Sequence, residues 1–312
     1  IGDLLNHKFL YNVLESILPD VIIHYAEQPS APYSMADREK SFFTQQNNVL
    51  GNLNLLFAIK KYCPNVHLIK LGTMGEYGTP NIDIEEGWLD IKHKGRKERI
   101  MFPKKPGSFY HLSKVHDSNN IEFCCRNWGL RCTDLNQGVV YGIETPETIM
   151  DKKLSTSFHY DGVFGTVINR FITQAILEKD LTVYGKGNQK RGYLNIIDTL
   201  QCVKIASQNK PKKGEFRVFN QFTESLTINE IADLVIKSAN KEKIKIKAKH
   251  IKNPRIEMEK HYYNPINNNL LDLGLKPLKF DIPFIIKFIK NTKKSINKIK
   301  EELILPNINW NK

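Results

Sequence analysis

Tyr110 and Lys114, in Tyr110-His111-Leu112-Ser113-Lys114, have the types and the spacing for taking a proton from an alcohol. Four residues apart on a helix, the two side chains stand on one face. An ammonium beside a phenol favours the phenolate, so a group that titrates at about 10 when free acts as a base closer to neutrality. Removing a hydride from a secondary alcohol needs such a base and a second hydroxyl to hold the substrate oxygen. Thr73 offers that hydroxyl within Leu71-Gly72-Thr73-Met74-Gly75-Glu76-Tyr77-Gly78, whose glycines permit tight turns and the close approach of a ligand. A third segment, Tyr184-Gly185-Lys186-Gly187-Asn188-Gln189-Lys190-Arg191, suits an anion: glycines bring backbone amides close, and Arg191 can grip a phosphate with two N–H groups. Read alone, this segment is equally an ordinary basic surface loop. Asn253-Pro254-Arg255 is a second clamp stiffened by proline, although acidic Glu257 and Glu259 leave a plain surface arginine as the alternative.

These segments need a frame that brings them to one rim. The apolar stripe of Leu10–Leu18 predicts a helix that stops at Pro19, and Val21–Tyr25 is a short β-branched run suited to a buried parallel strand. Asn48–Tyr62 predicts a long helix, Val66–Leu71 a strand, Ser108–Trp128 a helix and Arg131–Asn136 a strand. This alternation implies an α/β fold with a doubly wound parallel sheet, whose ligands sit at the carboxyl ends of the strands. Beyond Tyr141 the rhythm changes: Ile143–Tyr160 is irregular, Val163–Glu178 helical, Leu181–Arg191 a Gly-rich loop, Glu215–Asn220 a strand and Glu224–Asn240 an amphipathic helix. The expected organisation is a Rossmann-like domain over 1–142 and 193–222, with a smaller discontinuous substrate lobe over 143–192 and 223–312.

The composition narrows the classes. Of 312 residues, 41% are hydrophobic and 25% charged, as in ordinary globular enzymes. No apolar run approaches the roughly 20 residues of a membrane-spanning helix. Five scattered cysteines form no metal-binding spacing, so no metal is expected; a reactive cysteine is the minor alternative. The net charge of +13 comes largely from a Lys-rich last third without nucleic-acid-binding motifs, so a solvated basic surface is expected and no nucleic acid partner.

Longer blocks carry a resemblance. Glu27-Gln28 with Ser30–Met35, Leu71–Ile84, Phe109–Asp117, Asp134–Gly142, Leu181–Gly187 with Arg191-Gly192-Tyr193, Glu215–Thr223 and Asn253–Asn264 together resemble the UDP-sulfoquinovose synthase family of extended short-chain dehydrogenase/reductases. The resemblance runs over essentially the whole chain. It implies NAD as cofactor, UDP-glucose and sulfite (free or from a protein donor) as substrates, and a homodimer pairing the two long helices. It makes Tyr110 the base at the C4 hydroxyl, Lys114 its partner on the nicotinamide ribose, and Thr73 the ligand of that hydroxyl. Asp3, Leu4, Ala26, Glu27 and Asn48 are expected near NAD. Gln28, Asn136, Asn169, Tyr184, Arg191 and Arg255 are expected along the UDP-sugar. The compartment implied is the cytoplasm for a prokaryotic source and the plastid stroma for a plant or alga.

A comparison with related enzymes and two departures from the family pattern qualify the resemblance. Related 4,6-dehydratases carry Thr-Asp-Glu where this chain has Thr73-Met74-Gly75, so another group must handle C5 and C6: His111, with Glu76 as second candidate. The GxxGxxG loop that cradles a dinucleotide pyrophosphate is not in these residues; on the family pattern it belongs about 70 residues ahead of Asp3, so a chain truncated at its amino end is expected. Pro29 stands where an arginine usually follows Glu-Gln, removing one cation that would attract sulfite. Another UDP-sugar epimerase or dehydratase, or a truncated non-catalytic relic, are the alternatives.

Overall fold

The structure, a computed structural model, describes residues 1–155, 157–258, 261–306 and 308–310. In chain order the elements are α1 (His7–Ile17), β1 (Val21–His24), α2 (Ala31–Ser34), α3 (Arg38–Gln45), α4 (Gly51–Tyr62), β2 (His67–Thr73), β3 (Trp88–His93), β4 (Arg96–Met101), α5 (Phe109–Trp128), β5 (Arg131–Gln137) and β6 (Val139–Tyr141). They continue with α6 (Pro146–Met150), α7 (Val167–Ile176), β7 (Leu181–Tyr184), β8 (Lys190–Asn195), α8 (Ile196–Gln208), β9 (Phe216–Gln221), β10 (Glu224–Thr227), α9 (Ile228–Lys241), β11 (Ala248–Ile251), α10 (Asn268–Asp272) and α11 (Ile282–Lys293). The chain divides into two units: Ile1–Gln137 with Gln201–Gln221 and Asn264–Leu275, and Gly138–Leu200 with Phe222–Tyr263 and Lys276–Lys312. The assignment of 264–275 differs from the expected lobe boundary because Ile84 pairs with Pro265 and Asn264 donates to Asp83 within the first unit.

In the first unit four parallel strands lie in the order β1-β2-β5-β9. Their side chains alternate between two cores. One holds Leu68, Cys132 and Phe216 against Leu55, Ile59 and Ile121 of α4 and α5. The other holds Ile69, Leu135 and Phe219 with Cys202 and Ala206. On the α4/α5 face the strand register sets three successive rows: Leu68–Cys132–Phe216, then Lys70–Asp134–Val218, then Gly72–Asn136–Asn220. The face thus passes from apolar to ionic to small and polar toward the carboxyl ends of the strands, where ligands of such sheets sit.

Two features were not expected. The helix predicted from Asn48 begins at Arg38, and between α3 and α4 it passes through one π-helical turn, Gln46–Leu50. Such wide turns shift the register of the residues beyond them and are common beside functional sites. An antiparallel hairpin, β3–β4, turns at Lys94-Gly95, both with positive φ (46° and 82°). In the second unit, the stretch read as a Gly-rich loop is partly strand: β7 pairs with β11, and β8 lies between β10 and β6. Its core packs Phe171, Ile172, Val183, Tyr193, Ile231, Val235 and Phe288 of α7, β7, β8, α9 and α11. No helix among the described residues is long and apolar enough to cross a membrane.

Candidate active site

Thr73 ends β2 and caps a short turn, Met74–Glu76. Its hydroxyl oxygen accepts from the Gly75 amide at 3.2 Å, and the Glu76 carboxylate accepts from the Thr73 amide at 3.3 Å. Ser108 caps α5, its oxygen accepting from the His111 amide and standing 3.0 Å from His111 Nδ1. The first turn of α5 is also gripped from α2, because Ser34 Oγ accepts the Tyr110 amide at 3.0 Å. This places Tyr110, Lys114 and His111 at the same end of the sheet as Thr73. Lys114 Nζ closes the arrangement by donating to the carbonyl of Leu71 at 2.6 Å. The imidazole of His111 lies over Gly75, in the space that a side chain there would occupy.

The charge relationships differ from the expectation that Lys114 favours a Tyr110 phenolate. Lys114 is ion-paired with Glu27, both side chains 1% exposed. Burial, reinforced by Glu27, pushes the Tyr110 phenol well above its ordinary value. The ammonium that helical spacing aims at Tyr110 is therefore balanced by a carboxylate that sequence spacing does not reveal. Glu76 also departs from its expected role. It is fully buried, paired with Lys104 and, at 3.4 Å, with Lys70. Burial pushes its carboxyl up, but Lys104 and Lys70 together overcome this and hold it low. A carboxylate fixed in that way supports the Thr73 turn.

Three further residues expected to touch ligands are committed inside the protein. Asn48, in the π-helical turn, accepts the Gln28 amide at 2.9 Å and donates to the Gln28 carbonyl and to Ser113 Oγ. Gln28 donates to Thr44 Oγ1 at 2.8 Å and is buried. Asn136 is fully buried and donates to the Tyr77 hydroxyl at 2.8 Å, which itself donates to Asn220. All three are buried and held by the protein's own hydrogen bonds, and Asn136 keeps an Oδ1 without a hydrogen-bond partner.

For NAD, the residues present fit the nicotinamide-ribose end. The Glu27 carboxylate oxygens are buried without an aligned hydrogen-bond donor, beside the Lys114 ammonium, and Ala26 next to them is exposed. That combination would hold ribose hydroxyls. Asp3 is exposed and accepts the Leu5 amide, while Leu4 packs over Gly51 at the start of α4.

The substrate candidates of the second unit form their own cluster. Arg191 donates to Glu257 at 2.8 Å and stands 2.9 Å from His261 Nε2. Glu257 also accepts from Asn253 and Gln189, and Arg255 lies over the ring of Trp310 at 5.8 Å. Glu259 is outside the described residues. Tyr184 is buried beneath the guanidinium of Arg170, 4.1 Å from its ring centre. Asn169 donates to the His159 carbonyl and keeps a buried Oδ1 without a hydrogen-bond partner, an acceptor available to a base edge. The five cysteines are buried free thiols; burial pushes Cys124 up to about 11 and Cys125 up to about 12, far from nucleophilic thiolates.

Sequence reasoning missed Lys70, Lys104, Asp117, Ser118 and Asp134 of the first unit, and Arg170 and Glu257 of the second. Lys70 carried a signal, since a lysine inside the apolar run His67-Leu68-Ile69-Lys70-Leu71 has to bury its charge.

The model of the NAD dependent epimerase/dehydratase family matches residues 1–220. UDP-sulfoquinovose synthase of Spinacia oleracea, described as chloroplastic, is 51% identical over 312 residues, which cover 100% of this chain and 65% of that protein. The chain thus spans just under two thirds of the spinach relative's length. UDP-sulfoquinovose synthase of Sulfolobus acidocaldarius is 40% identical over 316 residues, covering 100% of this chain and 80% of the relative. Among solved structures, UDP-glucose 4-epimerase of Thermotoga maritima with UDP-glucose has a TM-score of 0.71 at 18% identity, covering 95% of this chain and 84% of that one. UDP-glucuronic acid 4-epimerase of Bacillus cereus with UDP-glucuronic acid and NAD gives 0.68 at 19%, covering 96% and 81%. These structures share the Rossmann-like fold. From the family match and the similarity over the whole of this chain, it belongs to the NAD dependent epimerase/dehydratase family, in its UDP-sulfoquinovose synthase branch.

Proposed function

We propose that this protein converts UDP-glucose and sulfite to UDP-sulfoquinovose. The observation that carries the proposal is the His111 imidazole lying over Gly75, where 4,6-dehydratases place carboxylates. NAD, when bound, supplies the acceptor that takes a hydride from C4 and later returns it. Tyr110 receives the proton of the C4 hydroxyl, and the Thr73 hydroxyl holds that oxygen. The resulting C4 ketone makes the C5 proton acidic. His111 takes that proton and passes it to the departing C6 hydroxyl, releasing water and leaving a C5–C6 double bond conjugated with the ketone. The sulfur lone pair of sulfite then adds to C6, a proton returns to C5, and hydride and proton restore the C4 alcohol. Atoms balance: water leaves, hydrogen sulfite enters, and there is no net redox change.

Arg191, with Arg255, receives the UDP phosphates after exchanging its Glu257 partner for them, and Asn169 and Tyr184 receive the nucleoside. Phe57 and Phe123 are each 50% exposed and both pack edge-on against Trp128. This exposed aromatic patch on α4 and α5 suits a second copy of the chain. The compartment is the plastid stroma in a plant or alga and the cytoplasm in a prokaryote. The deciding experiment is mass spectrometry of products formed by the full-length protein with NAD and UDP-glucose, with and without sulfite. A sulfonated UDP-hexose only with sulfite is expected; conversion independent of sulfite would make the protein an epimerase or dehydratase, and no turnover a relic.

A further inference from the structure

Beneath the Thr73 turn lies a cluster of charges that the proposed chemistry does not use. Lys70, midway along β2, is fully buried. Its ammonium reaches Glu76 Oε1 at 3.4 Å, the Lys114 carbonyl at 3.2 Å, Ser118 Oγ at 3.1 Å and Asp134 Oδ2 at 3.4 Å. Ser118 has one hydroxyl proton and three acceptors within reach: Glu76 at 3.0 Å, Asp134 at 2.8 Å and the Lys114 carbonyl at 3.1 Å. Glu76 in turn accepts the Thr73 amide. Lys70 therefore bonds on one side to the carboxylate that shapes the Thr73 turn and on the other to the backbone of the helix that carries Tyr110.

Burying such charges is costly, and packed apolar side chains of similar volume usually stabilise a fold as well or better. What ionic groups add is direction, because each acceptor fixes the place of its donor. A displacement of about 1 Å between reacting groups costs on the order of 100-fold in rate.

Resting on the proposed reading of the site, we infer that Lys70 is a positioning residue that sets the Thr73 hydroxyl against the Tyr110 hydroxyl through Glu76 and the Lys114 carbonyl. It touches neither substrate nor cofactor. Asp134, its register partner on β5, and Ser118 keep it centred between the two elements.

The test uses full-length holoenzyme carrying Lys70→Met together with Asp134→Leu, which removes one charge of each sign. Hydride transfer is followed by the absorbance of reduced nicotinamide after UDP-glucose is added without sulfite, so it does not depend on whether sulfite is the second substrate. The expected result is a fall of about 10- to 100-fold in this rate and in kcat, with KM for UDP-glucose and bound NAD within about twofold. A rate that stays unchanged, or one lost only through raised KM or lost NAD, overturns the inference. Should the double variant not fold, Ser118→Ala keeps every charge and is expected to slow hydride transfer by about 3- to 10-fold. An unchanged rate in that variant is equally decisive against it. Failure of the functional reading looks different: wild-type protein transfers hydride but makes no sulfonated product.

Discussion

The imidazole of His111 fills the space that a Cβ at Gly75 would need. The residue after Met74 is thereby limited to glycine for as long as His111 stands over the turn. Gly75→Ala pushes the ring aside without disturbing the sheet, because a histidine at a helix start can swing. We expect sulfonation kcat to fall about 10- to 100-fold while stability changes by less than about 1 kcal/mol, measured by product formation and thermal unfolding of the same preparation.

Glu27 acts on both the Lys114 ammonium and the Tyr110 phenol. Burial and then the Glu27 charge raise the phenol, so Glu27→Gln lowers it. Since the base acts deprotonated, a lower value extends activity downward, and the acid limb of the kcat–pH profile is expected to move to lower pH. Breaking a buried ion pair also costs about 3–5 kcal/mol, to be read from chemical denaturation.

His24 makes stability depend on pH in a definite direction. Burial lowers its imidazole from 6.5 to about 4, against the pull of Glu27 and with the help of Lys114 and Lys70. Between those values the unfolded chain takes up a proton that the folded protein refuses, so stability is lost as pH falls from 6.5 toward 4. The loss attributable to His24 is roughly 3 kcal/mol, and His24→Gln should remove that part of the slope. Denaturant titrations of both proteins across this window compare the slopes; equal slopes count against the assignment.

Arg191 is expected to act on binding and not on chemistry. Arg191→Ala should raise KM for UDP-glucose about 10- to 100-fold with kcat nearly unchanged. Its ion pair with Glu257 is 30% and 20% exposed, so little stability goes with it. Steady-state kinetics with thermal unfolding separates the two effects.

Phe57→Lys puts a charge into the aromatic patch beside Trp128. If α4 and α5 meet a second copy there, sedimentation should show monomer in place of dimer at the same concentration. A dimer that survives the substitution lies elsewhere on the surface.

The alternation of helices with short strands made the parallel sheet legible, although β2 and β5, buried along most of their length, carry polar residues among the apolar ones. Thr73, Tyr110, Lys114 and His111 could be singled out from sequence because a strand end and a helix start place them locally. Pairings distant along the chain could not. Glu27 meets Lys114, and Lys70 meets Asp134, only after strands from separate segments align, and no local spacing encodes that register. The bonds of Asn48 and Gln28 to each other were hidden for a related reason, since an amide's partners are set by residues distant along the chain. β7 and the first two residues of β8 were read as loop because Gly185 and Gly187 between them outweighed a strand pattern of only four residues in β7.

The π-helical turn at Gln46–Leu50 has a consequence for chain length itself. A wide turn of this kind accommodates one residue more than a straight helix of the same span. The extra residue is absorbed inside the turn, so α3 and α4 keep the faces that a straight helix one residue shorter would give them. Straightening the turn with every residue kept would rotate everything beyond it by about 100°. Asn48 would then leave Gln28, and the apolar stripe of α4 would turn away from the sheet. Loss of one residue in this stretch would instead leave both faces where they are.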